Sequence, residues 1–258
     1  MSANPFKAAI AARQRQIGLW ISLANGYAAE VCAATGFDWA LIDGEHAPSD
    51  LRTILLQLQG FAGHATHPVV RPPVGSPQLI KQLLDIGVQS LLIPMVDTAE
   101  QARALVAALR YPPRGIRGVG ARMARASGFG LRGNYVHEAD DGICLLVQIE
   151  SPEGLRNLET IAAVEGVDGI FVGPSDLSAS HGHLGNPAHP GMRALIDATL
   201  RRIAAAGKPS GIVSYDGTES QHFIDIGTTF VAVGGDAGIL SGGARALAAR
   251  FAGVRTAA

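Results

Sequence analysis

The sequence predicts one (β/α)8 barrel, a TIM barrel, formed as a single domain over residues 1–258. Three observations predict it. Short runs rich in β-branched residues and leucine alternate with segments of helical periodicity, the pattern of a parallel sheet covered by helices. The runs number eight, and the chain length of 258 residues is that of a barrel of about 250 residues. Hydrophobic residues make up 47% and charged residues 17% of the chain, ample for one large core and far from a disordered composition.

The expected strands begin near Ile17 (IGLWISL), Trp39 (WALID), Pro68 (PVVR), Ser90 (SLLIP), Cys144 (CLLVQIE), Gly169 (GIFVG), Ser210 (SGIVS) and Phe230 (FVAVG). Between them, Leu51, Ile54, Leu55 and Leu58 repeat at i, i+3, i+4, i+7 behind the N-cap candidate Ser49. Ala102, Leu105, Val106 and Leu109 do the same behind Thr98. Ser76-Pro77 and Ser151-Pro152 each place an N-cap before a proline at the first helical position, and Gly207 is placed to end the helix containing Leu195, Ile196 and Ile203. Lys7 falls in what reads as an N-terminal tail. Two connections, 111–142 and 180–191, exceed what a bare barrel unit needs and are expected to serve the site or an interface. A doubly wound sheet is the alternative fold, but no GxGxxG follows the first strand; GIRGVG has the wrong spacing and follows a helix.

A net charge of -1, with 21 basic and 22 acidic side chains, argues against nucleic acid and anionic membranes as partners. The start MSANPFKAAIAARQRQ has no apolar core of a signal peptide, and no run of 18 apolar residues occurs, so a cytoplasmic protein is expected. Cys32 and Cys144 suit reduced, buried thiols better than a disulfide.

In a barrel the site lies at the C-terminal ends of the strands, so what each strand ends in is the test. The second ends in Asp43, Glu45 and His46, the third in Arg71, the fifth in Gln148 and Glu150, and the sixth runs through Gly173, Pro174 and Ser175 into Asp176. Glu150 and Asp176 end adjacent strands and form a pair of hard oxygen donors suited to a divalent cation such as Mg2+ or Mn2+, with positions left for water and substrate. Arg71, stiffened by Pro72 and Pro73, suits a developing oxyanion. His46 suits a general base, with Asp43 the nearest acid to orient it. His181 and His183 lack a third ligand at zinc spacing and read as loop residues. Arg114, Arg117, Arg122 and Arg125 crowd the long loop, where they are suited to an anionic substrate tail, to a neighbouring subunit, or simply to solvent. The only lysines, Lys7, Lys81 and Lys208, avoid the C-terminal strand ends, so Schiff-base chemistry has no residue to carry it and metal assistance is expected instead.

These residues carry a resemblance. The segments GLWISLANGYAAEVCAATGFDWALIDGEHAPSD, PVVRPP, IKQLLDIGVQSLLIPMV, YPPRGIRGVG, LLVQIE, VEGVDGIFVGPSDLSA and FVAVGGD together resemble the class II pyruvate-dependent hydroxy-ketoacid aldolases, typified by 4-hydroxy-2-oxoheptanedioate aldolase, over nearly the whole chain. The resemblance implies a divalent metal ion (Mg2+, Mn2+ or Co2+), no organic cofactor, a keto acid (pyruvate or hydroxypyruvate) and an aldehyde as substrates, and a homo-hexamer. It implies Glu150 and Asp176 as metal ligands, and Gln148 with the Gly173 to Asp176 segment as the pyruvate-binding groups. His46 is implied as base and Arg71 as oxyanion stabiliser. It also implies that Asp85, delivered from an adjacent subunit, raises the basicity of His46, so Asp43 and Asp85 both stand as partners of that histidine. A sugar-acid aldolase, a citramalyl-type ester lyase and a keto-acid-binding scaffold are the rival readings. Aldehyde choice is expected to lie in loop contours such as 212–214 and the arginine-rich segment.

Overall fold

The alternation of side chains along a strand decides what this chain builds. In the computed structural model, which describes residues 4–252, the strands are β1 Gln16–Ile21, β2 Trp39–Asp43, β3 His67–Arg71, β4 Ser90–Ile93, β5 Cys144–Ile149, β6 Gly169–Val172, β7 Ser210–Val213 and β8 Phe230–Gly235. Each pairs in parallel with the next, and β8 closes on β1 through Gln16 opposite Phe230 and Ile17 opposite Val231. All eight expected strands are present, within a residue or so of their expected starts.

Residues two apart share a face, and this sorts the core into two layers. Trp20, Trp39, Leu41, Val69, Leu92, Leu146, Phe171 and Phe230 fill the barrel interior, while Ile42, Val70, Leu91, Val147 and Ile170 face the helices. The interior pairs bulk with absence of bulk: a Cβ on Gly211 would lie 2.0 Å from the Phe230 ring and one on Gly18 2.3 Å from the Trp39 ring. The same alternation continued upward aims Asp43, Arg71, Gln148 and Glu150 into the C-terminal mouth.

The helices are α1 Pro5–Ala11, α2 Gly26–Ala33, α3 Leu51–Phe61, α4 Pro77–Asp85, α5 Ala99–Leu109, α6 Tyr135–Glu138, α7 Pro152–Arg156, α8 Leu158–Ala162, α9 Pro174–Ser180, α10 Pro190–Ala205, α11 Gly217–Asp225 and α12 Asp236–Arg250. Thr98, Ser76 and Ser151 cap α5, α4 and α7 as the sequence predicts, and Gly207 follows α10 with φ +80°. Ser49 does not cap α3. Asp50 does, because Thr53 three residues on completes a reciprocal capping box with it.

The supposed N-terminal tail is α1, a plug across the N-terminal end of the barrel. Phe6 and Ile10 are fully buried, and the Phe6 ring packs 5.6 Å from Trp39, 5.7 Å from His67 and 5.8 Å from Phe230. Lys7 belongs to this helix and donates to the Ile143 carbonyl at 2.7 Å. The long 111–142 connection folds around Arg117, which is buried rather than presented to solvent, an anion or a neighbour. Its guanidinium lies 4.4 Å from the Tyr111 ring centre and donates to Asp85 at 2.8 Å. Arg114 pairs with Asp140 at 2.8 Å and Arg125 donates to the Ile86 carbonyl. Cys32 and Cys144 are free thiols. Among the described residues no helix is long and apolar enough to cross a membrane.

Candidate active site

A cavity of about 310 Å3 opens at the C-terminal mouth and is lined by Asp43, His46, Arg71, Gln148 and the run Gly173, Pro174, Ser175 and Asp176. Trp20 and Phe171 are also part of its lining. Most strand-end residues expected from sequence therefore line one cavity, with Glu45 and Glu150 directly beside the lining residues Arg71 and Gln148, whereas Asp85 lies elsewhere.

Asp43 organises the β2 side. Its Oδ1 accepts from the Glu45 and His46 amides at 3.0 and 3.3 Å, which folds the chain into a turn directly after the strand. The same carboxylate takes Arg71 in a two-point grip, Nε to Oδ1 at 3.0 Å and Nη2 to Oδ2 at 2.8 Å, and Trp20 Nε1 donates to Oδ2 at 3.0 Å. Burial pushes Asp43 up, but Arg71, Trp20 and the Glu45 amide together hold it below the usual aspartate range. Arg71 is itself 5% exposed and its guanidinium stacks 4.8 Å from the Trp20 ring. Glu45 approaches Nη1 at 2.9 Å, close enough for charge attraction, yet its buried Oε2 has no aligned donor. Of the five guanidinium protons, two are committed to Asp43, and Glu45 adds charge attraction without taking an aligned proton.

Asp43 is thus not the orienting acid of His46. Its oxygens serve Arg71, Trp20 and backbone amides, and it meets His46 only at the main chain. The carboxylate nearest the His46 ring is Glu45, 3.8 Å from Nε2, and the ring itself is largely open to solvent. Asp85, at the end of α4, is held by Arg117 and lines a different depression with Leu55, Ile86, Met123 and Phe129.

On the β5 side Gln148 and Glu150, two residues apart and each 2% exposed, point the same way. Gln148 Nε2 donates to Glu150 Oε2, and the Met95 amide donates to Oε1 at 3.0 Å. Met95 reaches that position with φ +54°, a left-handed backbone unusual for a residue with a side chain. Burial pushes Glu150 up, the two donors offset this in part, and the charges of Asp176 and Glu45 push it further. Glu45 is likewise pushed up by burial, with Asp43 and Asp176 adding to it against Arg71 and His46. Gly173 lets the strand-end backbone approach this pair, since a Cβ there would lie 2.2 Å from Glu150 Oε2.

This donor set fits a divalent cation. Glu150 and Asp176 offer hard oxygens among mutually repelling carboxylates, a charge excess a cation would relieve, and buried Gln148 Oε1 has no partner. Among the described residues no three histidine, cysteine, aspartate or glutamate side chains converge as a metal cluster, so two carboxylates would leave the other positions to water or substrate. The short stretch of His181 and His183 gathers no ligand set either: His181 Nδ1 donates to the Leu177 carbonyl at 2.8 Å, and His183 stacks on His189 at 3.9 Å.

Sequence reasoning missed four participants. Trp20 was legible from strand period, being two residues after the inward Gly18. Glu45 was seen as an acid but not as a partner of Arg71, a contact across strands. The Met95 amide and Tyr215, which also lines the cavity, left no sequence signal.

The fold and site define a barrel with an acid-rich mouth that also holds a buried arginine. The chain belongs to the HpcH/HpaI aldolase/citrate lyase family, whose sequence profile matches residues 16–241. It is 57% identical over 248 residues to the hydroxypyruvate/pyruvate aldolase of Cupriavidus necator, covering 96% of this chain and 92% of that one. It is 53% identical over 248 residues to the 4-hydroxy-2-oxo-heptane-1,7-dioate aldolase of Salmonella heidelberg, covering 96% and 94%. A crystal structure of a family member from Burkholderia cenocepacia superposes with a TM-score of 0.92 at 37% identity, covering 98% of this chain and all of that one. The chain is an aldolase, a carbon–carbon lyase, as the strand-end motifs imply.

Proposed function

We propose that this aldolase cleaves and forms 4-hydroxy-2-keto acids through a pyruvate enolate, by the class II, metal-assisted route. The observation that carries the reading is one cavity lined by Asp43, Arg71 and Gln148, with Glu45 beside the arginine and Glu150 held by the glutamine. Glu150 and Asp176 would hold the divalent ion, Mg2+, Mn2+ or Co2+, which when bound supplies positive charge that draws electron density from the keto oxygen. Gln148 and the Gly173 to Asp176 segment seat the keto-acid end, and the Arg71 protons not engaged by Asp43 meet the negative charge growing on the keto oxygen. Asp43 keeps the guanidinium from swinging away.

In cleavage His46, directly or through a water, takes the proton of the C4 hydroxyl. That O–H pair becomes the aldehyde C=O, the C3–C4 pair passes into the enolate, and C3 is then protonated to give pyruvate. Synthesis reverses each step. Among the described residues no acid but Glu45 approaches the His46 ring, and Asp85 stands elsewhere on Arg117, so pairing of Asp85 with His46 requires a second copy of the chain, in keeping with a hexamer.

The test is pyruvate release from 4-hydroxy-2-oxoheptanedioate, followed by coupled NADH oxidation, before and after chelation. Activity should vanish with chelator and return with Mg2+, Mn2+ or Co2+. Activity indifferent to chelator would remove the Glu150 and Asp176 assignment, and none on any free keto acid would favour an ester substrate.

A further inference from the structure

We propose that Tyr215 is a specificity-determining residue for the aldehyde, its phenol hydrogen-bonding a hydroxyl on the carbon next to the aldehyde carbonyl. The inference rests on the enolate reading above and concerns the half of the substrate which that reading leaves open.

With the keto acid seated on Gln148 and the Gly173 to Asp176 segment, the stretch of cavity wall formed by Trp20, Val213 and Tyr215 is left for the aldehyde. Tyr215 follows the 212–214 contour at the end of β7, and its backbone is firmly held. The amide of buried Ser214 donates to the Ala232 carbonyl at 2.9 Å, and its hydroxyl donates to Glu219 at 2.6 Å and accepts from the Asp216 amide at 3.2 Å. Arg193 in turn holds Glu219 at 3.1 Å. On its far side the Tyr215 ring leans over Gly235, where a Cβ would lie 3.2 Å from Cε1. The ring, carried on this held backbone and resting on Gly235, is 67% exposed, and its hydroxyl makes no hydrogen bond to any described residue. A pre-positioned, unused donor over a substrate cavity is the geometry of a recognition group.

The chemistry of that wall narrows what it recognises. Crowding by neighbouring atoms and then the Asp43 carboxylate push the phenol up, while much of the ring stays open to the cavity, so it is a neutral donor at physiological pH. The one arginine among the described lining residues is Arg71, gripped by Asp43 and, in the reading above, turned to the keto oxygen rather than to the aldehyde. Recognition at this wall is therefore by neutral hydrogen bonding and ring contact, the complement of a short hydroxyaldehyde.

The experiment compares kcat/KM for glycolaldehyde and for acetaldehyde, with pyruvate as the common donor, in the wild-type enzyme and in Tyr215→Phe. The glycolaldehyde-to-acetaldehyde ratio should fall about three- to tenfold in the variant, the worth of one neutral hydrogen bond; an unchanged ratio overturns the assignment. Tyr215→Arg puts a cation on the same wall and should raise succinic semialdehyde relative to acetaldehyde by about tenfold, on the scale of one charge-assisted hydrogen bond; no gain would show that the wall does not face the aldehyde. Exchange of pyruvate methyl protons in D2O by the wild-type enzyme, with no aldehyde added, tests the enolate reading by itself. Its absence sinks that reading, whereas exchange with an unchanged aldehyde ratio sinks Tyr215 alone.

Discussion

Asp43 shows how much a single carboxylate can organise. It ends a strand, folds the following turn through two backbone amides, and fixes a buried guanidinium at two points. A surface ion pair is worth about 0–1 kcal/mol, but a buried pair that loses one member costs about 3–5 kcal/mol because the other charge is left without compensation. Asp43→Asn preserves the shape and can still accept from the Glu45 amide, yet it removes the charge beside Arg71. Stability should drop by about 3 kcal/mol, visible in thermal unfolding, and turnover by about 10²-fold as Arg71 is drawn toward Glu45. Wild-type turnover in Asp43→Asn would show that Arg71 needs no orienting acid and would detach Asp43 from the site.

Elements, rather than residues, place the Glu150 side of the site. The start of α9 must pass within contact distance of the β5 end, and only a glycine at 173 permits it. Gly173→Ala would set a Cβ against Glu150 Oε2 at 2.2 Å and Gln148 Nε2 at 2.9 Å, two buried groups bonded to each other, with Glu150 held further by the Met95 amide. The carboxylate must then move by roughly 1 Å, a displacement that costs about 10²-fold in rate, while overpacking costs about 1–3 kcal/mol of stability. Steady-state kinetics beside thermal unfolding should show kcat/KM falling far more than the fold weakens; an unimpaired rate would mean that Glu150 has no fixed position to lose. The strands and most helices were legible in the sequence because period-two and period-3.6 patterns and Ser-Pro caps are local signals. The strand-end acids, Arg71 and His46 were legible for the same reason, since a strand end is a local fact. What escaped was non-local or conformational: α1, whose seven residues gain their burial only from a barrel opening built by distant strands; Glu45 beside Arg71; and the left-handed Met95. Asp50 against Ser49 was decided by Thr53, a signal present in the sequence but requiring the exact register of α3.

Closing a barrel leaves its N-terminal end open to water, and here α1 seals it at a cost that shows in acid. His67 sits under Phe6, 7% exposed, hydrogen-bonded to Ser90 Oγ at 2.9 Å, which also accepts from Asn4 at 3.0 Å. Burial lowers its pKa to about 4 from an ordinary 6.5. Between those values the unfolded chain binds a proton that the folded one refuses, so stability rises with pH across the window. The contribution is fully present above about pH 6.5, is lost as the pH falls toward 4, and amounts to about 3 kcal/mol at the lower end. Glu45 and Glu150 act in the opposite sense. Pushed up in the folded state, they bind protons more readily there than in the unfolded chain and offset part of the loss as acid is added. The difference between wild type and His67→Gln isolates the histidine, because glutamine keeps a partner for Ser90 and does not titrate. Urea unfolding of both proteins at a series of pH values from 7 to 4 should show the wild type losing about 3 kcal/mol more than the variant. Parallel pH profiles would mean that His67 takes up its proton in the folded barrel, and that the plug opens to admit it.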